Sequence, residues 1–398
     1  MKILIIHEID WINKVPFEPQ HFAEIFSMKG HEVFVIDCEQ PNSSNLIAGL
    51  HTSEKNNFHS IYEKANITLI RPSSILLTGL NRLTHFLTCE KIIRKTIVEN
   101  KIEIILLYGV ATNGIQTIKI AKEIGIPVVF RALDIAHKLV HIPILNNLVK
   151  NYEKKVISNA TKVLTTTHDM VSYAKKMGAN DENIEFFPLG INSNIFKPQP
   201  KDKILSEQLG ISSKDKVLIF VGTIYPFAGL DVLIKKFNLL KTKIHDVKFI
   251  VVGGGPHLKK IKSLTKQKKL NSNIIFTGFK PQFDISKYIS LADICVVPFE
   301  INEITDSIIP IKILEYLACS KPVISTPMKG TVELLSDHTV GIFYSELEHF
   351  IDMLSNLLND PKKLEEAGNN GYLHVKKNYD WDMLSDIILK KFSDLINK

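Results

Sequence analysis

The sequence predicts an α/β protein built on two doubly wound parallel sheets. Short apolar runs rich in Ile and Val alternate with longer amphipathic stretches along almost all of the 398 residues. These runs are apolar on consecutive residues, which is typical of strands that are covered on both faces. The length suggests about two or three domains, and the alternation of strand and helix predicts parallel sheets.

The predicted strands fall into two sets, one in each half of the chain. The first set is Lys2–Ile6, Val33–Ile36, Ile67–Ile70, Glu103–Leu107, Pro127–Phe130, Lys162–Thr165 and Ile184–Phe187. The second set is Val217–Val221, Lys248–Val252, Asn273–Phe276, Ile294–Val297, Pro322–Ser325 and Gly341–Phe343. Helical periodicity between them predicts helices such as Leu230–Leu240, Leu258–Lys269, Leu347–Leu358 and Leu384–Ile396.

A polar, proline-containing stretch from Phe196 to Asp202 has the composition of a domain boundary. It predicts an N-terminal domain over residues 1–196 and a second domain over residues 197–378. Ligands of such sheets bind beyond the carboxyl ends of the strands. We therefore expect an active site in a cleft between two facing sheets.

Composition excludes several classes of protein. The 49 Lys and Arg exceed the 42 Asp and Glu by a formal charge of +7, a mild excess that selects no partner, and no nucleic-acid-binding motif is visible. The four cysteines show no CxxC spacing, which argues against a disulfide scaffold or a zinc site. The apolar runs are shorter than a membrane-spanning helix needs, and the first residues do not look like a signal peptide. We expect a soluble cytoplasmic protein that does not bind nucleic acid.

Two glycine turns follow predicted strands of the second domain. Gly253 and Gly254 end one strand, and Gly222 with Thr223 ends another. Glycine lets the backbone approach a ligand closely, and the helix that follows offers free N–H groups to an anion. Each turn alone is also what a plain connector would show, since a short glycine run is weak evidence.

The strongest signal is the stretch from Asp306 to Ser325. Lys312 and Glu315 stand three residues apart and share one face of a predicted helix that is otherwise apolar. Charges on a buried helix are costly unless something uses them. The alternative is a surface ion pair, with Asp306 or Ser307 capping the helix.

Several further fragments occur in a specific order along almost the whole chain. They are Gly30-His31-Glu32-Val33, Phe187 to Pro198, Thr277-Gly278-Phe279, Ala292-Asp293 with Pro298, Pro310 to Tyr316 as a Pro-x-Lys-x-x-Glu-Tyr variant, and Gly330-Thr331-Val332-Glu333. In this order they resemble glycosyltransferase family 4, the retaining sugar-nucleotide transferases of the GT-B fold. That fold has two facing Rossmann-like domains with a cleft between them. The resemblance implies that residues 1–196 form the acceptor domain and residues 197–378 the nucleotide-sugar donor domain.

The resemblance implies a retaining glycosyltransferase of the hexosyl type. It would move a sugar from a nucleotide-diphosphate donor to a glycan or lipid-linked acceptor, with no metal and no cofactor beyond the nucleotide sugar as co-substrate. Glu315 would accept hydrogen bonds from the donor ribose. The donor site implied by the matching positions comprises Gly222, Thr223, Gly253, Gly254, Gly278, Phe279, Ser307, Lys312 and Glu315.

The sequence departs from the family pattern at three donor positions. Ser307 replaces the first glutamate of the usual Glu-x7-Glu pair, and Glu300, Glu303 or Asp306 are candidates to replace its charge. Thr223 and Ala228 stand where the family places Arg and Lys against the diphosphate. We expect Lys312 and the free N–H groups at the helix starts near Gly229, Ile311 and Thr331 to neutralise that charge instead.

In the first domain, Leu133 stands where the family often has a histidine. Asp134 and His137 follow and are expected to lie together at the cleft as catalytic residues, with a capping Asp and an exposed His as the alternative. The resemblance also implies that residues 379–398 form a helix crossing back to the first domain. Trp381 is interpreted as an anchor for that helix.

The segment from His141 to Lys155 mixes apolar residues with lysines. It predicts either a peripheral membrane contact with anionic lipid or a solvated helix face. Two other functions stay open: a catalytically silent glycan-binding or partner subunit on the same fold, and a sugar-nucleotide epimerase. The three missing donor contacts motivate the silent subunit.

Overall fold

The computed structural model describes residues 1–41, 49, 51–77, 80–140, 142–303 and 305–397. The chain divides into two compact units. Unit 1 is Met1–Leu189 together with Trp381–Lys398, and unit 2 is Gly190–Asp380. The domain boundary predicted after residue 196 falls inside unit 2, and the last helix belongs to unit 1.

Unit 1 is built on one sheet flanked by helices. Its strands are β1 (Lys2–Ile6), β2 (Glu32–Ile36), β3 (Ser53–Phe58), β4 (Ile67–Arg71), β5 (Ile104–Leu107), β6 (Val128–Ala132), β7 (Lys162–Thr165) and β8 (Ile184–Phe186). Its first helices are α1 (Glu18–Met28), α2 (Leu80–Asn100), α3 (Gly114–Ile124), α4 (Pro143–Asn159) and α5 (His168–Lys176), with 3-10 helices at Ala136–Leu139 and Asp181–Asn183. The strand order is β3-β4-β2-β1-β5-β6-β7-β8, and only the β3–β4 pair is antiparallel.

Unit 2 holds a second sheet, which is wholly parallel. Its strands are β9 (Lys216–Val221), β10 (Val247–Val252), β11 (Ile274–Gly278), β12 (Ile294–Val297), β13 (Val323–Ser325) and β14 (Ile342–Tyr344), in the order β11-β10-β9-β12-β13-β14. Its helices are α6 (Lys203–Gln208), α7 (Leu230–Lys243), α8 (Leu258–Gln267), α9 (Gln282–Ser290), α10 (Ile311–Ala318), α11 (Lys329–Leu334), α12 (Phe350–Leu358) and α13 (Pro361–Asn378), with 3-10 helices at Pro226–Ala228 and His338–Val340.

Both faces of the unit 1 sheet are buried, because alternate residues of a strand point to opposite faces. Leu4 and Ile6 pack into one apolar cluster, while Ile3 and Ile5 pack into another on the opposite face. The second cluster includes α14 (Trp381–Ile396), the helix that completes unit 1. Trp381 is buried and stacks on His21 with 5.4 Å between ring centroids, so its interpretation as an anchor is confirmed.

Every strand predicted from consecutive apolar residues is present, with ends shifted by no more than a few residues. The strand that the sequence did not predict is β3, an antiparallel edge strand with five exposed residues and one half-buried one. Such a strand has no buried face to impose an apolar pattern.

Within the described ranges, no helix has both the length and the apolar content to cross a membrane.

Candidate active site

Each sheet has a switch point between two neighbouring strands, where the chain continues from one strand toward one edge of the sheet and from the other strand toward the opposite edge. In unit 2 the switch lies between β9 and β12, because β10 and β11 follow on one side and β13 and β14 on the other. In unit 1 it lies between β1 and β5. Ligands of open α/β sheets bind beyond the carboxyl ends of the strands at such points.

Helix α10 begins at the unit 2 switch point. Pro310 precedes its first residue, Ile311, and takes an extended conformation that ends the loop. The buried Tyr316 hydroxyl accepts a 2.7 Å hydrogen bond from the N–H of Val221, the last residue of β9. This bond fixes the helix against the end of the central strand.

Lys312 projects from the first turn of α10 over two aromatic rings. Its Nζ lies 4.2 Å from the centroid of Phe220 and 4.9 Å from that of Phe299. Phe220 belongs to β9 and Phe299 follows β12, so the ammonium sits on the two strands that form the switch point. Aromatic faces attract a cation and hold it there without neutralising its charge.

Lys312 and Glu315 are half-buried and form no salt bridge with each other or with other described residues. Burial lowers the pKa of Lys312 to about 8, against the opposing pull of Glu315. Burial also raises the pKa of Glu315 to about 7, and Lys312 opposes that shift. The alternative of a surface ion pair is therefore wrong: these are two enclosed charges that lack close partners.

Gly222 and Gly253 form a floor beside Lys312. Gly222 has φ +128°, and a Cβ there would come within 2.8 Å of Lys312 Nζ. Gly253 has φ +130°, and a Cβ there would collide with the carbonyl oxygen of Gly222. Side chains are excluded at both positions, so backbone forms the surface next to the ammonium.

The neighbouring turns extend this floor. The N–H of Gly253 donates a 2.9 Å hydrogen bond to the carbonyl of Gly278, which joins the ends of β10 and β11. The ring of Phe279 lies against Gly254 and is 71% exposed. Thr223 is half-buried in the same turn region, with its Cγ2 next to Gly255.

The segment around Ser307 packs against the start of α11. A Cβ on Gly330 would lie 2.6 Å from the carbonyl oxygen of Ser307. Asp306 accepts a 3.0 Å hydrogen bond from the N–H of Lys329 through its side chain, and a 2.9 Å bond from the N–H of Gly330 through its carbonyl. The N–H of Thr331 donates to Met328. The expectation that N–H groups near Thr331 serve an anion is therefore wrong, since the protein already uses them.

The other two predicted helix starts are different. Gly229 precedes the first residue of α7 and Pro310 precedes that of α10, and neither helix start has a side-chain cap. The N–H groups in the first turn of a helix have no partner within the helix, so an uncapped start is suited to an anion. Ala228, at one of the positions where the family places a cation, is 1% exposed and contributes only to the core.

In unit 1, a cavity of about 790 Å³ lies beyond the carboxyl ends of β1, β5 and β6. Asp134 lines it, and desolvation by the walls raises the pKa of this carboxyl against the opposing pull of Lys14. His137 is not among the lining residues. Its Nδ1 lies 2.7 Å from Glu153, which also accepts the N–H of His137 and Ala136. The expected pairing of Asp134 with His137 is therefore wrong, and His137 is a buried structural residue.

The same cavity brings together residues that sequence reasoning missed. His7 stacks on Tyr108 with 5.1 Å between ring centroids, and both line the cavity. Arg131 also lines it, but its Nε and one terminal nitrogen bond Glu18 at 2.7 and 2.8 Å. A histidine or arginine directly at the end of a strand was the available signal for these residues.

Residues 201–374 match the family model described as "Glycosyl transferases group 1". This segment is less than half of the chain, and it contains Lys312, Glu315 and every glycine of the floor described above. The described residues contain no group of three or more His, Cys, Asp or Glu placed to hold a metal ion. That the protein needs no metal or cofactor stays a prediction.

Two curated relatives illustrate the similarity. The chain is 23% identical over 203 residues to the GDP-mannose-dependent alpha-(1-6)-phosphatidylinositol monomannoside mannosyltransferase of Mycolicibacterium smegmatis, covering 50% of this chain and 53% of that protein. It is 26% identical over 266 residues to the putative teichuronic acid biosynthesis glycosyltransferase TuaH of Bacillus subtilis, covering 62% of each. The matches thus span less than two thirds of the length of these relatives.

Solved structures show the fold. The crystal structure of Anabaena Alr3699/HepE in complex with UDP superposes with a TM-score of 0.72 at 16% identity, covering 99% of this chain and 100% of that one. Neighbours of this kind are GT-B glycosyltransferases, and the two parallel sheets of the present chain agree with them. The chain has the GT-B fold, with two Rossmann-like domains.

Proposed function

We propose that this protein is a retaining glycosyltransferase of family 4, hexosyl in type. Its donor would be a nucleotide-diphosphate sugar, and its acceptor a glycan or lipid-linked molecule. The observation that carries the proposal is the unpaired Lys312 beside Glu315 at the unit 2 switch point, inside the group 1 domain. The names of the relatives, which are glycosyltransferases, support it.

The donor site follows from the chemistry of each group. Lys312 would meet the diphosphate, and the uncapped start of α7 at Gly229 would add backbone N–H groups to it. The ionised Glu315 would accept hydrogen bonds from the ribose hydroxyls. The exposed ring of Phe279 offers a flat apolar face against which a nucleobase can stack.

The reaction needs one bond exchange. The bond between the anomeric carbon and the phosphate oxygen breaks, and the diphosphate leaves with the electron pair. The acceptor hydroxyl forms its bond to the same face of the sugar, and its proton passes to the leaving phosphate oxygen. Charge develops on the diphosphate, so a fixed cation that lacks a partner, such as Lys312, stabilises the transition state more than the ground state.

Calorimetric titration with UDP, GDP and ADP tests the donor site. We expect one of the three to bind, and Lys312→Met to weaken that binding at least tenfold. The matched control is Lys363→Met, because Lys363 is an exposed lysine whose ammonium also lies over an aromatic ring, that of Phe343, at 5.6 Å. Absence of binding by all three nucleotides at millimolar concentration would contradict the proposal.

Turnover separates the enzyme from a silent subunit, which the residues at Thr223, Ala228 and Ser307 still motivate. Incubation with nucleotide sugars and an acceptor panel is expected to release the nucleotide diphosphate and form a glycoside. The anomeric configuration of that product, measured by NMR, tests retention. Nucleotide binding without any release or transfer would favour the silent subunit.

A further inference from the structure

The cavity of unit 1 is walled on one side by two helices that turn apolar side chains toward it. Leu83 and Phe86 of α2 face the cavity, together with Leu145 and Leu148 of α4. The ring of Phe86 stacks on Tyr152 of α4 at 6.3 Å, which links the two helices. The volume of about 790 Å³ lies within the range of about 300–1,000 Å³ that is typical of small-ligand pockets.

This apolar wall is incompletely buried. Leu83 is 57% exposed, and Leu145 and Leu148 are each 43% exposed, although all three line a cavity. A leucine side chain that lines a cavity and remains exposed to water contributes its full burial free energy only when an apolar group fills the cavity. An aliphatic chain would cover all three at once.

The opposite end of the cavity is polar and carries charges of both signs. Lys14 and Arg82 line it together with the carboxyl groups of Glu8 and Asp134. Burial raises the pKa of Asp134, which favours the neutral form of that carboxyl. Lys14 forms no salt bridge with any described residue, and its ammonium lies over the Phe17 ring at 5.3 Å. Arg82 contacts Glu8 at 3.4 Å, but Glu8 also accepts the backbone N–H groups of Thr112 and Asn113.

His7 adds a hydrogen-bond donor at this end. Its Nδ1 accepts a 2.7 Å bond from the N–H of Glu8, which places the proton of the neutral ring on Nε2. Burial lowers the pKa of His7 to about 3, so the ring is neutral. Nε2 is buried and has no partner among the described residues. Leaving a buried donor unpaired costs free energy, so this nitrogen is available to an acceptor oxygen that reaches it from the cavity that His7 lines.

We propose that this cavity binds the acceptor, and that the acceptor is an anionic amphiphile. Its aliphatic chain lies between α2 and α4, and its phosphate lies against Lys14 and Arg82. The orphaned Nε2 of His7 donates to a head-group oxygen. The role of this amphiphile as acceptor rests on the proposed glycosyltransferase function, whereas its binding in the cavity does not.

Calorimetric titration of the full chain with decyl phosphate, below its micelle concentration, tests the site. Decyl phosphate is expected to bind, and inorganic phosphate to bind at least a hundredfold more weakly. Leu148→Gln is expected to weaken decyl phosphate binding about tenfold, because it removes an apolar contact of side-chain size. Leu145→Gln repeats the test from the neighbouring turn of α4.

Two control variants match these changes. Leu239→Gln alters an exposed leucine of α7 in unit 2 and is expected to leave decyl phosphate binding unchanged. Lys14→Gln is expected to weaken the binding of decyl phosphate about fivefold and to leave the binding of decyl maltoside, which has no charge, unchanged. Lys150→Gln, on the exposed surface of α4, is the control for it and is expected to change the binding of neither compound. Thermal unfolding of each variant shows that the fold is retained.

Three results would overturn the proposal: no binding of decyl phosphate, equal binding of inorganic phosphate, or binding that both leucine variants leave unchanged. Vesicles of phosphatidylglycerol form a further arm. Vesicle binding without decyl phosphate binding would assign the exposed leucines to a membrane surface and overturn the cavity site. A UDP titration of the same samples distinguishes the two proposals. If decyl phosphate binds and UDP does not, the result contradicts only the proposed function.

Discussion

Each sheet of this protein has a cation near the ends of its strands, fully buried in unit 1 and half-buried in unit 2, and the two cations differ in what surrounds them. Arg131 of unit 1 is fully buried and bonds Glu18 through two nitrogens and the carbonyl of Phe187 through a third. Lys312 of unit 2 has aromatic rings and glycine backbone around it and forms no ion pair with a carboxylate of the described residues. The first charge is already neutralised, whereas the second is free to meet an anion.

The two sheet edges also differ in what they offer beyond the cation. In unit 2 the floor is glycine backbone, which suits the close approach of a phosphate. In unit 1 the wall is made of leucine and aromatic side chains from two helices, which suits an apolar chain. The same arrangement of strands thus presents two chemically different surfaces, because the residues that follow each strand differ.

The largest effect is expected at the paired cation. Glu18→Gln leaves the Arg131 charge buried without a counter-ion, which we expect to destabilise the fold by about 3–5 kcal/mol. Urea unfolding measures this loss. Glu123→Gln, in an exposed pair with Arg94, is the control and should leave the free energy of unfolding unchanged. A Glu18 variant as stable as its parent would show that the pair is not structural.

At the unpaired cation, the expected effect is on turnover and not on stability. Lys312→Met removes the charge that the proposed mechanism places opposite the leaving diphosphate. We expect kcat to fall about 100- to 1,000-fold, the range seen for the loss of one transition-state contact. Because Lys312 forms no ion pair, its removal leaves no counter-ion unpaired, and the free energy of unfolding should stay the same or rise. A strongly destabilised Lys312→Met variant would show that Lys312, like Arg131, is needed for stability.

A third variant tests the glycine floor. Gly253→Ala forces a Cβ into the Gly222 carbonyl at positive φ, so we expect a loss of about 2–3 kcal/mol in unfolding free energy and weaker nucleotide binding. Gly210→Ala is the matched control, because Gly210 has φ +63° and nothing within 4 Å of an added Cβ. It measures the cost of an ordinary left-handed backbone conformation in which an added Cβ meets no collision. Equal losses in both variants would mean that the floor has room for a side chain.

The smallest effect is a dependence of donor affinity on pH. In the proposed donor site Glu315 must be ionised to accept hydrogen bonds from ribose, and its raised pKa means that we expect affinity to fall below about pH 7. Lys312 must be protonated, and its lowered pKa means that affinity falls above about pH 8. Each limb should approach tenfold per pH unit, since one proton is exchanged. Titration with a nucleotide sugar between pH 5 and 9 measures both.

Glu315→Gln is the control for that profile, because it removes the acid limb and keeps the side-chain shape. The alkaline limb should remain in this variant, since it depends on Lys312. A flat profile in the parent protein would show that these two groups do not contact the donor.

Sequence patterns predicted the strands of both sheets, because strands covered on both faces must be apolar at consecutive positions. They also found Lys312 and Glu315, since two charges on an otherwise apolar helix are conspicuous. They could not show that Lys312 lies over Phe220 and Phe299, which are 79 residues apart in the chain. That contact exists only because β9 and β12 are neighbours in the sheet.

The failures have the same origin. Asp306 caps a helix that begins 23 residues later, which no local pattern indicates. His137 is held by Glu153 on the next helix, so its proximity to Asp134 in sequence did not bring it to the cavity. The apolar residues of α2 and α4 that line the cavity look, in sequence, like the core face of any amphipathic helix. The prediction of lipid contact started at His141, which lies outside the described residues.

The membership of α14 in unit 1 has a consequence for biosynthesis. Residues 190–380 are inserted between the two parts of unit 1, and Phe392 and Trp381 complete the apolar cluster around Phe26 and Phe22. Domains generally fold as units while the chain is being made. Unit 2 can therefore fold during synthesis before unit 1 is complete. Residues 1–189 keep an exposed apolar face until α14 has been synthesised.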